Sequence, residues 1–163
     1  MLKSCDTYLK ILDSLRKKIR HDLSSNQIFC ETGDWMDCAV LKLQKKNWTQ
    51  NGIGEGVFFS VWIGKEELKK DRFNYNIHAF KLRLWKDHSI KPVEFASCFR
   101  SKLGKSNTNW PNLRTDYGPQ TLMQGWAPLD LNTFEKDVSN LINEFITIHG
   151  IIDDMIDKRK NTE

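Results

Sequence analysis

Apolar side chains recur at Tyr8, Leu12, Leu15, Ile19 and Leu23, in steps of three and four that draw one stripe along a helix over residues 5–23. Ser24, Ser25 and Asn26 end it, and Gly33 and Asp34 punctuate a loop leading to a short apolar strand over 38–43. Residues 47–56, with Asn51-Gly52 and three glycines within five positions, carry the clearest turn signal in the chain. A β-branched and aromatic run over 57–63 and an alternating one over 77–85 read as strands, joined by a polar connection over 64–76. The three strands are expected to form an antiparallel meander.

Pro92 is placed for the first turn of a second helix reaching Leu103, with Val93, Phe95, Ala96 and Phe99 on its apolar side. A long Asn-rich connection follows over 104–119, and its Trp110, Leu113 and Tyr117 argue for order. A fourth strand is expected over 121–127, kinked at Gly125. The last helix has the strongest pattern: Phe134, Val138, Leu141, Phe145, Ile148, Ile152 and Met155 alternate steps of four and three, with Ile142 and Ile156 widening the stripe. Asn132 and Glu135 have the spacing of a capping box at its start, and Gly150 inside it marks either a close contact or a weak point. The expected architecture is α+β in the order αβββαβα: an antiparallel sheet of about four strands flanked by N-terminal, middle and long C-terminal helices. It forms a single domain over residues 1–157, with a frayed polar tail over 158–163.

The composition of the 163 residues, 39% hydrophobic and 28% charged, agrees with one globular domain and excludes collagen-like or wholly disordered chains. No apolar run approaches the roughly 20 residues of a membrane span, and Lys3, Asp6 and Lys10 interrupt any secretory apolar region, so no membrane association is expected. Cys5, Cys30, Cys38 and Cys98 form no CxxC pair, and His21, His78, His88 and His149 are equally scattered. Reduced thiols in a cytoplasmic protein are the simplest reading, and neither a metal site nor a cofactor is implied. The net charge of +4 conceals a basic middle: residues 39–103 hold 13 Lys and Arg against 6 Asp and Glu. Such a middle favours an acidic partner.

Period-two alternation places Lys42, Phe58 and Trp62 on one sheet face together with Lys81, Arg83 and Trp85 of the strand over 77–85, whose His78, Phe80, Leu82 and Leu84 point to the other, apolar face. Aromatic rings that stack on bases beside cations that meet phosphates are how open sheet faces hold single-stranded nucleic acid. The competing structural reading has Phe58, Trp62 and Trp85 packed beneath a helix, with Lys and Arg stems covering the edges. Trp110, Arg114 and Tyr117 in the long connection can form a binding loop, or Trp110 can simply anchor that loop to the core. Asp153, Asp154 and Asp157 lie within one helical turn, a spacing that suits either a hard cation or a solvated face completed by Lys158, Arg159 and Lys160.

The order helix, three strands, helix, strand over residues 1–127 is similar to the core order of the PD-(D/E)xK nuclease superfamily, a similarity of element order alone. Such nucleases need a metal-binding Asp and an acidic-x-Lys pair around their second and third strands. Residues 57–63 and 77–85 contain no carboxylate, and Glu55, Glu66 and Glu67 do not form that motif. GxSxG, P-loop and GxGxxG signatures are also missing. The first functional expectation is therefore a nonenzymatic module that binds an acidic partner, nucleic acid foremost, through Lys42, Trp62, Lys81, Arg83 and Trp85. A protein-interaction or assembly subunit, self-associating or binding a partner through the C-terminal helix or the 104–119 loop, is the alternative. An enzyme with a spatially assembled site comes third.

Overall fold

A computed structural model describes residues 4–50 and 54–162, so the Asn51-Gly52 turn signal lies outside the described residues. The elements run α1 (Cys5–Ser25), β1 (Ile28–Trp35), β2 (Cys38–Lys45), β3 (Gly56–Ile63), α2 (Lys65–Lys69), β4 (Arg72–Phe80), α3 (Pro92–Gly104), β5 (Thr121–Pro128) and α4 (Phe134–Asp157). The fold is α+β, and its sheet is an antiparallel meander in the order β1-β2-β3-β4-β5. The sheet thus has five strands rather than four.

The added strand is β1, which falls where a loop was expected. Its sequence has Gly33 and Asp34, residues depleted in strands, and of its eight side chains only Ile28 is buried. What makes it a strand is pairing: Met36 and Asp37, with φ of 54° and 62°, form a two-residue turn that folds β1 onto β2. The third expected strand is also displaced, since β4 begins at Arg72 and stops at Phe80. Lys81 takes φ of 60° and turns the chain into a 3-10 turn at Leu82–Leu84. In β4, Phe73, Tyr75, Ile77 and Ala79 face the core and are buried, while Arg72, Asn74, Asn76, His78 and Phe80 face the other way, Asn74 and Asn76 being buried there as well.

One face of the sheet carries the core. Leu41, Leu43, Val57, Phe59, Val61, Phe73, Tyr75 and Ile77 meet the stripes of α1 and α4, all of them buried. Aromatic pairs fix the helices in place: Phe134 of α4 meets Tyr8 of α1 and Phe73 of β4 edge-on, at 5.1 and 5.2 Å. Phe145 stacks on Phe59 at 5.0 Å and meets Trp48 edge-on at 5.7 Å. The α4 stripe is wholly consumed in this core, from Phe134 to Ile156, so it offers no free seam to a partner helix. The expected capping box at its start does not form. Thr133 is the N-cap, its hydroxyl bonds Asp137, the Asn132 N–H goes to Asp130, and Glu135 instead pairs with Lys18 of α1 at 2.7 Å. At the other end the expected frayed tail is held down: Ser89 N–H donates to Arg159 O, Asn161 N–H donates to Asp87 O, and Arg159 pairs with Glu94 of α3 at 2.5 Å.

The 104–119 connection wraps along β5. Tyr75 Oη donates to the Pro111 carbonyl at 2.6 Å, directly over Gly125, where any Cβ would collide with the tyrosine oxygen and the Pro111 carbonyl. Glycine at the expected kink therefore makes room for a hydrogen bond. Arg100 of α3 completes the clamp by donating to the carbonyls of Tyr117, Gly118, Thr121 and Leu122.

Candidate functional site

Antiparallel partners point to the same side, so the registers define the face opposite the core row by row. A polar row crosses its middle: Glu31, Lys42, Ser60, Asn76 and Gln124, extended by Arg114 where its backbone bridges Gln124. On one side lies a row containing Val40, Trp62, Asn74 and Trp126, and on the other a row containing Phe29, Gln44, Phe58 and His78. The helices α1 and α4 pack on the opposite face, where their buried stripes belong to the core cluster.

The rings on this face remain accessible. Trp126 is 36% exposed and Trp35 42%, while Phe58, Trp62, His78 and Phe80 are half-buried. They form two groups. Near one end His78 stacks on Phe80 at 4.8 Å, Phe58 meets both at 5.4 and 5.6 Å, and Lys42 Nζ sits 4.5 Å from the Phe58 ring centre. Toward the other end the Arg72 guanidinium lies 5.3 Å from the Trp126 ring, and the buried Arg72 Nε has no hydrogen-bond partner among the described residues. Between the groups Ser60 donates to Asn76 Oδ1 at 2.6 Å, and Asn74 Nδ2 donates to Glu67 at 3.0 Å. Glu67 also accepts the Gly64 N–H at 2.9 Å, which ties α2 to the end of this face.

Burial lowers the His78 pKa and outweighs the opposing effect of its hydrogen bond to Gln120 O, so the ring is neutral near pH 7 and acts as a platform rather than a charge. Lys42 and Arg72 supply the cations. Trp35 lies flat against the strand because Gly33 leaves it space: a Cβ there would stand 3.3 Å from the indole Cζ2.

Of the residues singled out by sequence, Lys42, Phe58 and Trp62 share this face. Lys81 and Arg83 are exposed but follow the end of β4, so they stand beyond the sheet rather than on it. Trp85 is buried, with its indole N–H bonded to Glu55 and its ring edge-on to His88 at 5.2 Å. The expected phase is inverted: Ile77 and Ala79, in step with Lys81, Arg83 and Trp85, face the core while His78 and Phe80 face outward, and the αL turn at Lys81 ends the strand before Trp85. Trp110 is an anchor, packed on Tyr75 at 5.6 Å and on Phe59 at 6.4 Å. Arg114 pairs with Asp116 at 2.7 Å and stands over Tyr117 at 5.3 Å, so of the expected loop triad only Arg114 is placed beside the uncovered face. Sequence reasoning missed Arg72, Asn74 and Asn76, put His78 and Phe80 on the apolar face, and grouped Trp126 with the long connection rather than with the sheet. The signal that finds the β4 members is the alternation of polar and apolar residues from Arg72 to Ala79.

The six tryptophans divide evenly. Trp48, Trp85 and Trp110 are buried, and their indole N–H groups are given to Asp153, Glu55 and Thr108. Trp35, Trp62 and Trp126 stand on the uncovered face. The acidic turn of α4 serves the fold: Asp153 takes hydrogen bonds from Lys45, Asn47 and Trp48, and Asp154 pairs with Lys158. Among the described residues no three His, Cys, Asp or Glu side chains are grouped as metal ligands, and no helix is long and apolar enough to cross a membrane.

No protein-family model matches the chain, and no curated protein or solved structure is significantly similar to it.

Proposed function

We propose that this chain is a nonenzymatic binding module that takes single-stranded nucleic acid on the uncovered face of its sheet. The observation that carries the reading is the concentration of Trp62, Trp126, Phe58, His78 and Phe80, with Lys42 and Arg72, on a face opposite the helices. Bases stack on aromatic rings irrespective of sequence, and phosphates seek cations beside them. In the central row Ser60 and Asn76 are buried and bonded to each other, so the half-buried Gln124 is the amide left there for base edges. A duplex keeps its bases paired and stacked inside the helix, away from such a face, which favours the single strand. Its four cysteines are free thiols, in keeping with work in the cytoplasm.

The test is a titration of intrinsic tryptophan fluorescence with single- and double-stranded oligonucleotides over a range of salt. Saturable quenching by the single strand is expected. The slope of log K against log salt should flatten by about 0.7 for each phosphate contact removed in Lys42→Ala and Arg72→Ala. Trp126→Ala should cost about 1–3 kcal/mol of affinity. Absence of binding at low salt overturns the reading, as does binding that the three substitutions leave unchanged.

A further inference from the structure

The two edges of the sheet are finished differently. At β5, Arg114 exchanges both backbone hydrogen bonds with Gln124 at 2.7 and 3.0 Å, Asn112 Nδ2 donates to Trp126 O, and Arg100 donates to the carbonyls of Thr121 and Leu122. That edge is covered. At β1 the strand order ends, and the eight residues Ile28–Trp35 contain no proline, no lysine and no bulge in their register with β2. Those are among the devices by which proteins discourage pairing at an edge, and of the charged side chains that also serve this end the strand carries Glu31 and Asp34. This edge also displays large apolar groups: Phe29 is 62% exposed, and beside Trp35 the turn residue Met36 is 96% exposed.

The phase of its hydrogen bonding follows from the turn. Met36-Asp37 is a two-residue hairpin loop with positive φ at both positions, so Trp35 and Cys38 form the hydrogen-bonded pair that closes it. Trp35, Gly33, Glu31 and Phe29 accordingly turn their N–H and C=O toward β2, whereas Cys30, Thr32 and Asp34 turn theirs outward. A second copy approaching antiparallel must offer its own outward groups. This limits a two-fold axis to a residue position, at Glu31, Thr32 or Gly33. An axis at Glu31 sets two identical carboxylates opposite each other, and one at Gly33 puts Glu31 against Trp35. The axis at Thr32 sets Phe29 opposite the partner's Trp35 twice, in the closely spaced pairs where cross-strand side chains touch, and leaves Glu31 opposite glycine.

We propose that β1 is a self-association edge, pairing antiparallel with β1 of a second copy about a two-fold axis at Thr32, with Phe29 of each chain against Trp35 of the other. The dimer is isologous and closed, so it uses up the edge rather than propagating it. It joins two five-stranded sheets into one and runs their uncovered faces together. The pairing stands whether or not that face binds nucleic acid.

Sedimentation velocity of the full chain from micromolar to near-millimolar concentration, with amide hydrogen exchange along the same series, tests it. A concentration-dependent dimer is expected. The amides of Cys30, Thr32 and Asp34 should gain protection as it forms, while those of Phe29, Glu31 and Gly33 are protected throughout. Phe29→Lys and Trp35→Lys should each abolish the dimer; should Trp35→Lys fail to fold, Phe29→Lys alone decides, because that ring is mostly in solvent. A chain that stays monomeric over the whole range overturns the proposal. So does a dimer in which amides 30, 32 and 34 exchange as fast as in dilute solution, or one that survives Phe29→Lys.

Discussion

Asp153 is held by three donors that converge from a strand end and the 3-10 turn after it: Lys45 Nζ at 2.5 Å, Trp48 Nε1 at 2.8 Å and Asn47 Nδ2 at 3.2 Å. Burial pushes the carboxyl up, but these bonds and the Lys45 charge together outweigh it, and its pKa is held below the usual range. Because the folded pKa is the lower one, the charged form stabilises the fold fully above the unfolded value of about 3.9, and that contribution is lost as pH falls through the folded pKa. Asp153→Asn should therefore lower stability near neutral pH and flatten the acid limb of a urea-denaturation series. Lys45→Ala should be the more damaging change, at about 3 kcal/mol, since it leaves the carboxylate without its buried counter-charge. An unchanged midpoint in either variant would contradict this account of how α4 is fastened to β2. The same carboxylate shows what spacing along a helix leaves open: Asp153 and Asp154 are neighbours in sequence, yet one turns to the core and the other to Lys158 in solvent.

At the scale of elements, the helices were legible because burial repeats every three to four residues, and α1, α3 and α4 lie within a few residues of the stripes that announce them. Strands depended on partners. β1 has too little buried surface to declare itself and exists by pairing with β2, and the Met36-Asp37 turn lacks the Asn-Gly signature of its type. β4 was displaced because Asn74 and Asn76 look like loop residues, although they are the strand's polar side, buried with bonds to Glu67 and Ser60. Lys81, the residue that ends β4, has no local feature that dictates its positive φ. Gly150 was ambiguous between a close contact and a weak point, and the helix around it resolves the matter. A Cβ there meets nothing within 4 Å. Gly150→Ala should thus raise stability by about 1 kcal/mol through helix propensity, seen as a higher urea midpoint with an unchanged slope. A loss of stability would mean that the glycine meets a contact that this fold lacks.

For the whole molecule, the decisive asymmetry is a sheet with a core on one face and accessible rings on the other. Composition revealed six tryptophans but could not divide them, because the division depends on which indole finds a buried acceptor and which strand carries each ring. Three of the seven residues named on the proposed nucleic-acid face, Lys42, Phe58 and Trp62, followed from alternation in β2 and β3. The remainder waited for the register of β4 and β5, on which Arg72 and Trp126 come together. That asymmetry makes the central claim readable from six signals. In a heteronuclear spectrum of the full chain, the indole N–H resonances are followed while a single-stranded oligonucleotide is added. The account predicts that Trp35, Trp62 and Trp126 shift or broaden while Trp48, Trp85 and Trp110 stay fixed. Six unmoved signals, or shifts confined to the buried three, would contradict it.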